Sequence, residues 1–254
     1  MNYVINNTPI LTNFLDNSNN NNVSHHLDNH IFPLTKYKNL TYKQVLVIND
    51  EKYFKYLLSN FKIFYEEIFD FYIYLKLNNK FVDQITKLLN IKILFDTDTT
   101  GFAIYDLVLQ LAYVVFNDIE VLKTYDQIVK IDPKVSIKNS YIHGITNKKC
   151  NTDGICINDM LNRFVKDVHF CNSLIGHNVN FDIRMMKNEF NRHKFDCSLF
   201  ENKNIIDTMD LYGSRIKLGE LHIRLFNEEM INAHNALFDV MATYKIYKKL
   251  IANK

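Results

Sequence analysis

Residues 93–102 read ILFDTDTTGF: an apolar run ends in two aspartates one residue apart, Asp96 and Asp98, followed by Thr99, Thr100 and Gly101. Two carboxylates this close repel, and each raises the other's pKa unless something positive stands between them. The pair therefore either flanks an exposed turn or holds a metal ion. Three further segments set acids beside turn or helix-start residues. They are GHNVNFD (176–182) with His177, Asn178 and Asp182; NIIDT (204–208) with Asp207; and NAHNALFDVMAT (232–243) with His234 and Asp239. Each also has an ordinary structural reading. Taken alone, Asp96 and Asp98 suit a solvated turn, and Asp182 and Asp207 suit helix N-caps. His143 and His177 suit satisfied core histidines, and His234 a surface one. Asp207 keeps the cap reading.

These residues need a frame. IKILF (91–95) predicts a buried strand, and DLVLQLAYVVF (106–116) and VLKTYDQIVKI (121–131) predict two more, with Asn117 and Asp118 at the turn between them. Such close spacing predicts antiparallel neighbours. A helix is expected over 157–168, a short strand over NSLIG (172–176), and helices over 181–192, 207–214, 218–226 and 235–252. Three strands, a helix, a strand and then helices is the order of an α/β layered domain with a mixed sheet. Ahead of it, Phe54, Leu57, Leu58, Phe61, Phe64, Tyr65, Ile68, Tyr72 and Leu75 form a helical stripe over 50–77 that no Gly or Pro interrupts. A second helix is expected over 79–89, with Phe81, Val82, Ile85, Leu88 and Leu89 inward. Residues 1–40, with the asparagine-rich run NSNNNNVSHHLDNH (17–30), read as a poorly ordered, flexible stretch. The expected division is thus 1–40, a helical extension over 41–90, and a catalytic-type domain over 91–254.

Composition narrows the class. With 254 residues and 47% hydrophobic content, the chain can bury a core. A net charge of +2 is weak for a nucleic-acid binder that relies on phosphate neutralisation alone, so any such contact must be local or carried by metal ions. Cys150, Cys156, Cys171 and Cys197 form no CxxC and no zinc spacing, which fits thiols in a reducing compartment. The most apolar window, 61–77, holds Glu66, Glu67 and Asp70, too much charge for a membrane span. Six Gly, three Pro and no Trp, against abundant Asn, Lys, Ile, Phe and Tyr, reflect an AT-rich genome. Together these suggest a cytoplasmic or nuclear protein of a large DNA virus or a parasite.

Over about 91–252 the motifs resemble the DEDDh group of 3′-to-5′ exonucleases, the superfamily of the polymerase III epsilon proofreading subunit. FDTDTTGF resembles that family's first motif, LIGHNVNFDIRMM its second and AHNALFDVMATYKIY its third. YIHGIT (141–146), IIDTMDLY (205–212) and KLGELHIRLFNEE (217–229) fall between them in the family's order. The resemblance implies a ribonuclease H-like mixed sheet flanked by helices, and a two-metal phosphodiesterase. Two divalent cations, Mg2+ or Mn2+, roughly 3.5–4 Å apart activate a water and stabilise the leaving oxyanion, and hard cations take carboxylate ligands. By resemblance, Asp96 bridges both metals, Asp98 and Asp239 complete the tighter site, Asp182 supports the second metal, and His234 is the general base. The sister group carries a Tyr at the position of Asn235, so the His form is expected. The backbone at Thr99, Thr100 and Gly101 would meet the terminal nucleotide, Gly101 by permitting close approach. His143 and His177 would lie near it, with Asn178 supporting them.

One position departs from the pattern: the first motif normally reads D-x-E, and here the second acid is Asp98. Two expectations follow. One is an active exonuclease that prefers manganese, because magnesium tolerates distorted geometry poorly; the other is an exonuclease fold that only binds. The expected substrate is a single-stranded 3′ end, DNA favoured over RNA, with Lys148 and Lys149 as candidate phosphate contacts and nucleoside 5′-monophosphates as products. A polymerase or a replication or repair factor is expected to dock through residues 50–89.

Overall fold

The computed structural model describes residues 26–230 and 235–252. It divides into two compact units, Met1–Asn90 and Ile91–Lys254. Among the described residues no helix is long and apolar enough to cross a membrane.

The first unit is helical: α1 (Tyr42–Ile48), α2 (Glu51–Ser59), α3 (Phe61–Leu77) and α4 (Val82–Leu89). The expectation of a flexible stretch up to residue 40 is corrected for residues 26–40. Leu27 and Phe32 are buried, Phe32 meets Phe71 edge-on at 4.8 Å, and the Tyr74 hydroxyl donates to Asp28 at 2.7 Å. A polar composition hides how much two apolar anchors can hold; each buried ring or Leu stabilises by about 1.5–3 kcal/mol. The rest of the asparagine-rich run, through His25, lies outside the described residues.

The continuous helix expected over 50–77 is also corrected. It breaks at Asn60 (φ −115°, ψ 29°), whose side-chain amide donates to the Tyr56 carbonyl and competes with the helical ladder. α3 bends again at Ile68 (φ −125°, ψ 27°), and beyond that kink the Tyr72 hydroxyl donates to the Leu57 carbonyl of α2 at 2.9 Å. In α4 only Ile85, Leu88 and Leu89 face inward; Val82 is exposed, because the helix starts there after Phe81 in a left-handed conformation.

The second unit runs β1 (Lys92–Thr99), β2 (Val108–Phe116), β3 (Val121–Ile128), α5 (Ser140–His143), α6 (Asn147–Asp153), α7 (Ile157–His169), β4 (Ser173–Gly176), α8 (Val179–Arg192), β5 (Asn204–Asp207), α9 (Thr208–Tyr212), α10 (Leu218–Phe226) and α11 (Ala236–Ala252). The sheet order is β3-β2-β1-β4-β5, with β1 to β3 antiparallel to one another in sequence and β4 and β5 parallel to β1. It is the expected mixed sheet with helices on both faces. The expected strands at 91–95, 106–116 and 121–131 are present with shifted ends; β5 and the two short helices α5 and α6 add to the expected set.

Strand alternation sorts the two faces. Leu94, Ala112, Val114, Phe116 and Ile175 pack with Ala236, Val240 and Tyr247 of α11. On the opposite face, Phe95 and Tyr113 each meet Phe164 of α7 at 5.6 Å. All nine residues of β2 are buried, which explains its unbroken apolar texture. β4 pairs with β1 only as far as Leu94↔Ile175, yet β1 continues to Thr99. Here β1 has an antiparallel neighbour on one side and a parallel one on the other. The crevice beyond the shorter strand is where open α/β sheets place their sites.

Candidate active site

The aspartates of ILFDTDTTGF lie inside β1 rather than in a turn after it. This removes the solvated-turn reading. Alternation turns Asp96 and Asp98 toward α11 and Thr97 toward α8. The register slips between Asp98 and Thr99, and a bulge of this kind re-aims side chains next to a site.

Each acid is held by a different device. Asp98 accepts the backbone N–H of Ala236, the first residue of α11, and its Oδ2 is buried without a partner. Asp182, in the first turn of α8, is buried and is not an N-cap: its Oδ1 accepts both the Thr97 backbone N–H (2.9 Å) and the Thr97 hydroxyl (2.7 Å). That N–H lies past the end of β4 and would otherwise lack a ladder partner, so Asp182 completes the backbone accounting. Asp239 sits half-buried in the first turn of α11, where Asn235 Oδ1 faces the Phe238 N–H at 3.5 Å.

The electrostatics follow from this grouping. Burial, and then Asp182, Asp98 and Asp239 in turn, raise Asp96 well above the ordinary carboxylate range. Burial and Asp239 push Asp98 up to about 7 against the Ala236 N–H. Burial pushes Asp182 up to about 7 against its Thr97 hydrogen bonds. Among the described residues no Lys, Arg or His forms an ion pair with Asp96, Asp98 or Asp182. The donor set is all oxygen, one oxygen is buried and unpaired, and the like charges converge. These features fit hard divalent cations. The arrangement is open: among the described residues no three His, Cys, Asp or Glu side chains are gathered into a ligand cluster. The mutual repulsion and the orphaned Asp98 oxygen therefore carry the metal argument, not a preformed cage.

The loop after β1 is built around Asp106. This buried carboxylate accepts the Thr100 hydroxyl (3.1 Å) and the Ala103 N–H (2.8 Å). A Cβ on Gly101 would lie 2.3 Å from Asp106 Oδ2. The glycine is therefore required by the loop's own acid, whatever it offers a nucleotide. Thr99 donates its hydroxyl to the Gly101 carbonyl at 2.6 Å.

His143, at the end of α5, lies against the same strand end. Its Nδ1 accepts the Ile145 N–H, so Nε2–H donates to the Thr99 carbonyl at 3.2 Å. His177 has a different set of partners. Its ring donates to the Ile216 carbonyl and accepts from the Thr208 hydroxyl, both at 2.8 Å, and burial lowers its pKa. With Asn178, Met209, Arg215, Ile216 and Lys217 it lines a shallow cavity of about 450 Å³ that none of the four acids borders. Asn178 is exposed and adopts the left-handed conformation that starts α8. His234 lies outside the described residues.

Asp207 is the cap expected of it and more. It accepts the Met209 N–H of its own helix, and also the Asn178 and Val179 N–H groups that open α8. One carboxylate thereby fixes the end of β5 and the start of the helix that carries Asp182. Neither this link nor the Thr97–Asp182 contact was part of the sequence reading. The place of Thr97 between two same-face acids was the available signal, because alternation must point it at the other layer.

Comparison with known proteins agrees with the fold. The RNase T exonuclease family profile matches residues 93–247. A PolC-type DNA polymerase III from Latilactobacillus sakei subsp. sakei (strain 23K) is 30% identical over 122 residues, which is 47% of this chain and 8% of that polymerase. E. coli exonuclease I in complex with a dT13 oligonucleotide matches at TM-score 0.55 and 20% identity, over 65% of this chain and 41% of that one. The zinc-ion-bound form of the E. coli exonuclease I complex with single-stranded DNA matches at TM-score 0.56 and 20% identity, with the same coverage.

Proposed function

The chain belongs to the DnaQ-like exonuclease family, and from that premise we propose that it trims single-stranded nucleic acid from the 3′ end, DNA in preference to RNA. The observation that carries the reading is the convergence of Asp96, Asp98, Asp182 and Asp239 at the end of a strand that outlasts its neighbour, with one buried oxygen left over. The oligonucleotide on E. coli exonuclease I and the DNA polymerase identity of the PolC-type relative support the choice of DNA.

In this reading Asp96, Asp98 and Asp239 would hold one Mg2+ or Mn2+, and Asp96 with Asp182 a second. Such ions, when bound, activate a water and stabilise the leaving oxyanion of a phosphodiester. The chain's own residues prepare the place. Thr97 fixes the rotamer of Asp182, and the Ala236 N–H fixes that of Asp98. His234 takes the proton of the attacking water; an imidazole with an ordinary pKa of about 6.5 suits that task near neutral pH. His143 locks the Thr99 carbonyl, so the backbone that meets the terminal nucleotide stays in place.

One observation favours a second reading, a fold that binds strands without cutting them. Asp98 is one methylene shorter than the family's Glu, and it already commits part of its carboxylate to the Ala236 N–H. A single assay separates the two. Oligonucleotides of DNA and RNA, labelled at the 5′ end, are incubated with Mg2+ or Mn2+ and with wild type, Asp96→Ala or Asp98→Glu. A ladder shortening from the 3′ end with wild type, and at least about a thousandfold slower with Asp96→Ala, is the expected result. A ladder from Asp98→Glu alone selects the second reading.

A further inference from the structure

We propose that the strand upstream of the terminal nucleotide runs along a two-walled track, with bases on Tyr105 and phosphates on Lys138 and Lys134. The inference rests on the exonuclease reading for what lies at the track's end.

The first wall is cationic. Residues 130–149 carry five lysines (Lys130, Lys134, Lys138, Lys148, Lys149) against one acid, Asp132, in a chain whose net charge is only +2. Lys130, Lys134, Lys138 and Lys148 are exposed. This segment is moored to the end of the acid-bearing strand: the Lys138 N–H donates to the Thr100 carbonyl at 2.9 Å, and His143 to that of Thr99. The positive charge thus stands at the rim of a site that is itself acidic. A polyanion needs such an arrangement to approach carboxylates.

The second wall is apolar. Phe102, Ile104 and Tyr105 are 64%, 69% and 69% exposed. A scattered exposed ring is ordinary, but three large apolar side chains within four positions are held outward by their own backbone. Along one edge of α8, Arg184 reaches the Phe102 carbonyl (3.4 Å), Asn188 that of Ile104 (2.7 Å) and Arg192 that of Tyr105 (3.4 Å). The buried Glu189 takes the Val108 N–H at 3.0 Å and fixes the far end of the loop. A loop tied this firmly holds its side chains out as a preset surface.

The walls meet. Lys138 Nζ lies 5.2 Å from the Tyr105 ring centroid and 3.5 Å from Asp106. The ammonium lies over one face of a ring that is 69% exposed, and a base stacked on the other face with its phosphate toward Lys138 matches the single-stranded repeat. A duplex keeps its base faces stacked inside and offers the ring nothing.

The test is fluorescence anisotropy with a labelled 15-nucleotide dT strand and a dT dinucleotide, in EDTA so that nothing is cleaved, across a salt series. Tyr105→Ala is expected to weaken 15-mer binding about tenfold, the usual loss for one stacked base. Lys134→Ala with Lys138→Ala is expected to flatten the slope of log K against log salt by about 1.4, at about 0.7 per phosphate released. Dinucleotide binding should change far less, and Lys249→Ala, on α11, should leave the salt slope alone. Wild-type affinity in the Tyr105 and lysine variants, an equal loss on the dinucleotide, or no 15-mer binding by wild type would each overturn the track. The two proposals fail separately. A protein that binds through these residues but cleaves nothing keeps the track and loses the exonuclease. One that trims 3′ ends while the variants bind as wild type does the reverse.

Discussion

Asp167 on one face of the sheet and the half-buried pair Asp96 and Asp98 on the other are treated in opposite ways. On the α7 face, Asp167 is fully buried and fully answered: Lys123 at 2.5 Å on one oxygen, the Tyr113 hydroxyl at 2.6 Å on the other, and Arg163 at 3.5 Å. Burial, followed by Asp167 itself, raises the Tyr113 phenol, which keeps its proton and remains a donor. On the α11 face, Asp96 and Asp98 meet further acids and a backbone N–H, and one oxygen of Asp98 meets nothing. The protein can neutralise a buried acid with its own cations and does so at Asp167. Among the described residues no such cation pairs with Asp96 or Asp98. The difference marks Asp96 and Asp98, and not Asp167, as candidate ligands without appeal to any motif.

The comparison can be broken from either side. The largest stability effect belongs to the answered acid. Asp167→Ala takes the acceptor from the buried Tyr113 hydroxyl and the carboxylate from Lys123 and Arg163, and removing one partner of a buried pair costs about 3–5 kcal/mol. Urea denaturation should show that loss with cleavage unchanged in rate while the protein is folded. A loss below about 1 kcal/mol would mean that the two faces do not differ as described.

The unanswered acids should give the opposite sign, read through pH. Their folded-state pKa values lie above the unfolded carboxylate value of about 3.9. The folded chain therefore holds protons that the unfolded chain has released. Below about pH 4 both states are protonated and nothing is lost. As pH rises from there to about 7, the value reached by Asp98 and Asp182, stability falls. In EDTA, the melting temperature of wild type relative to Asp98→Asn should decline across that window. Mn2+ or Mg2+ should restore it, with a larger gain at pH 8 than at pH 5. A flat difference between the two proteins would mean that the cluster is already compensated, as Asp167 is.

The smallest effect sharpens the picture. Thr97→Val keeps the shape and the backbone N–H but removes the hydroxyl that Asp182 accepts, a change of about 1–2 kcal/mol. Because that hydrogen bond lowers the Asp182 pKa, the pH–rate profile should shift upward along with the small loss of stability. A profile that does not move would leave Thr97 a packing residue only.

Much of this was legible beforehand, and the divide is one of distance along the chain. The apolar run of β1, the turn at Asn117, whose side chain accepts the Ile119 and Glu120 N–H groups at 2.9 Å, and the order of strands and helices are local signals. The four acids stood out because the local pattern set each beside an expected strand end or helix start, although Asp96 and Asp98 lie inside β1. What holds them in place is not local. Thr97 meets Asp182 from 85 residues away, and Glu189 meets Val108 from 81. Neither pair leaves a periodicity or spacing to find. Gly101 was read for its approach to a nucleotide, and the constraint that the structure adds is Asp106, five residues on. His177, expected near the nucleotide, has both ring nitrogens engaged through partners 31 and 39 residues away, which no local pattern announces. In the helical unit, composition concealed the break at Asn60, because the apolar stripe continues through it unchanged.

The shared cap at Asp207 also orders events in time. The first turn of α8 closes on N–H bonds to a carboxylate that follows it by almost thirty residues. The N–H that steadies Asp98 comes later still, from Ala236. During synthesis, then, Asp96 and Asp98 emerge first and wait. The chain cannot assemble its charged centre until nearly everything in the second unit has left the ribosome.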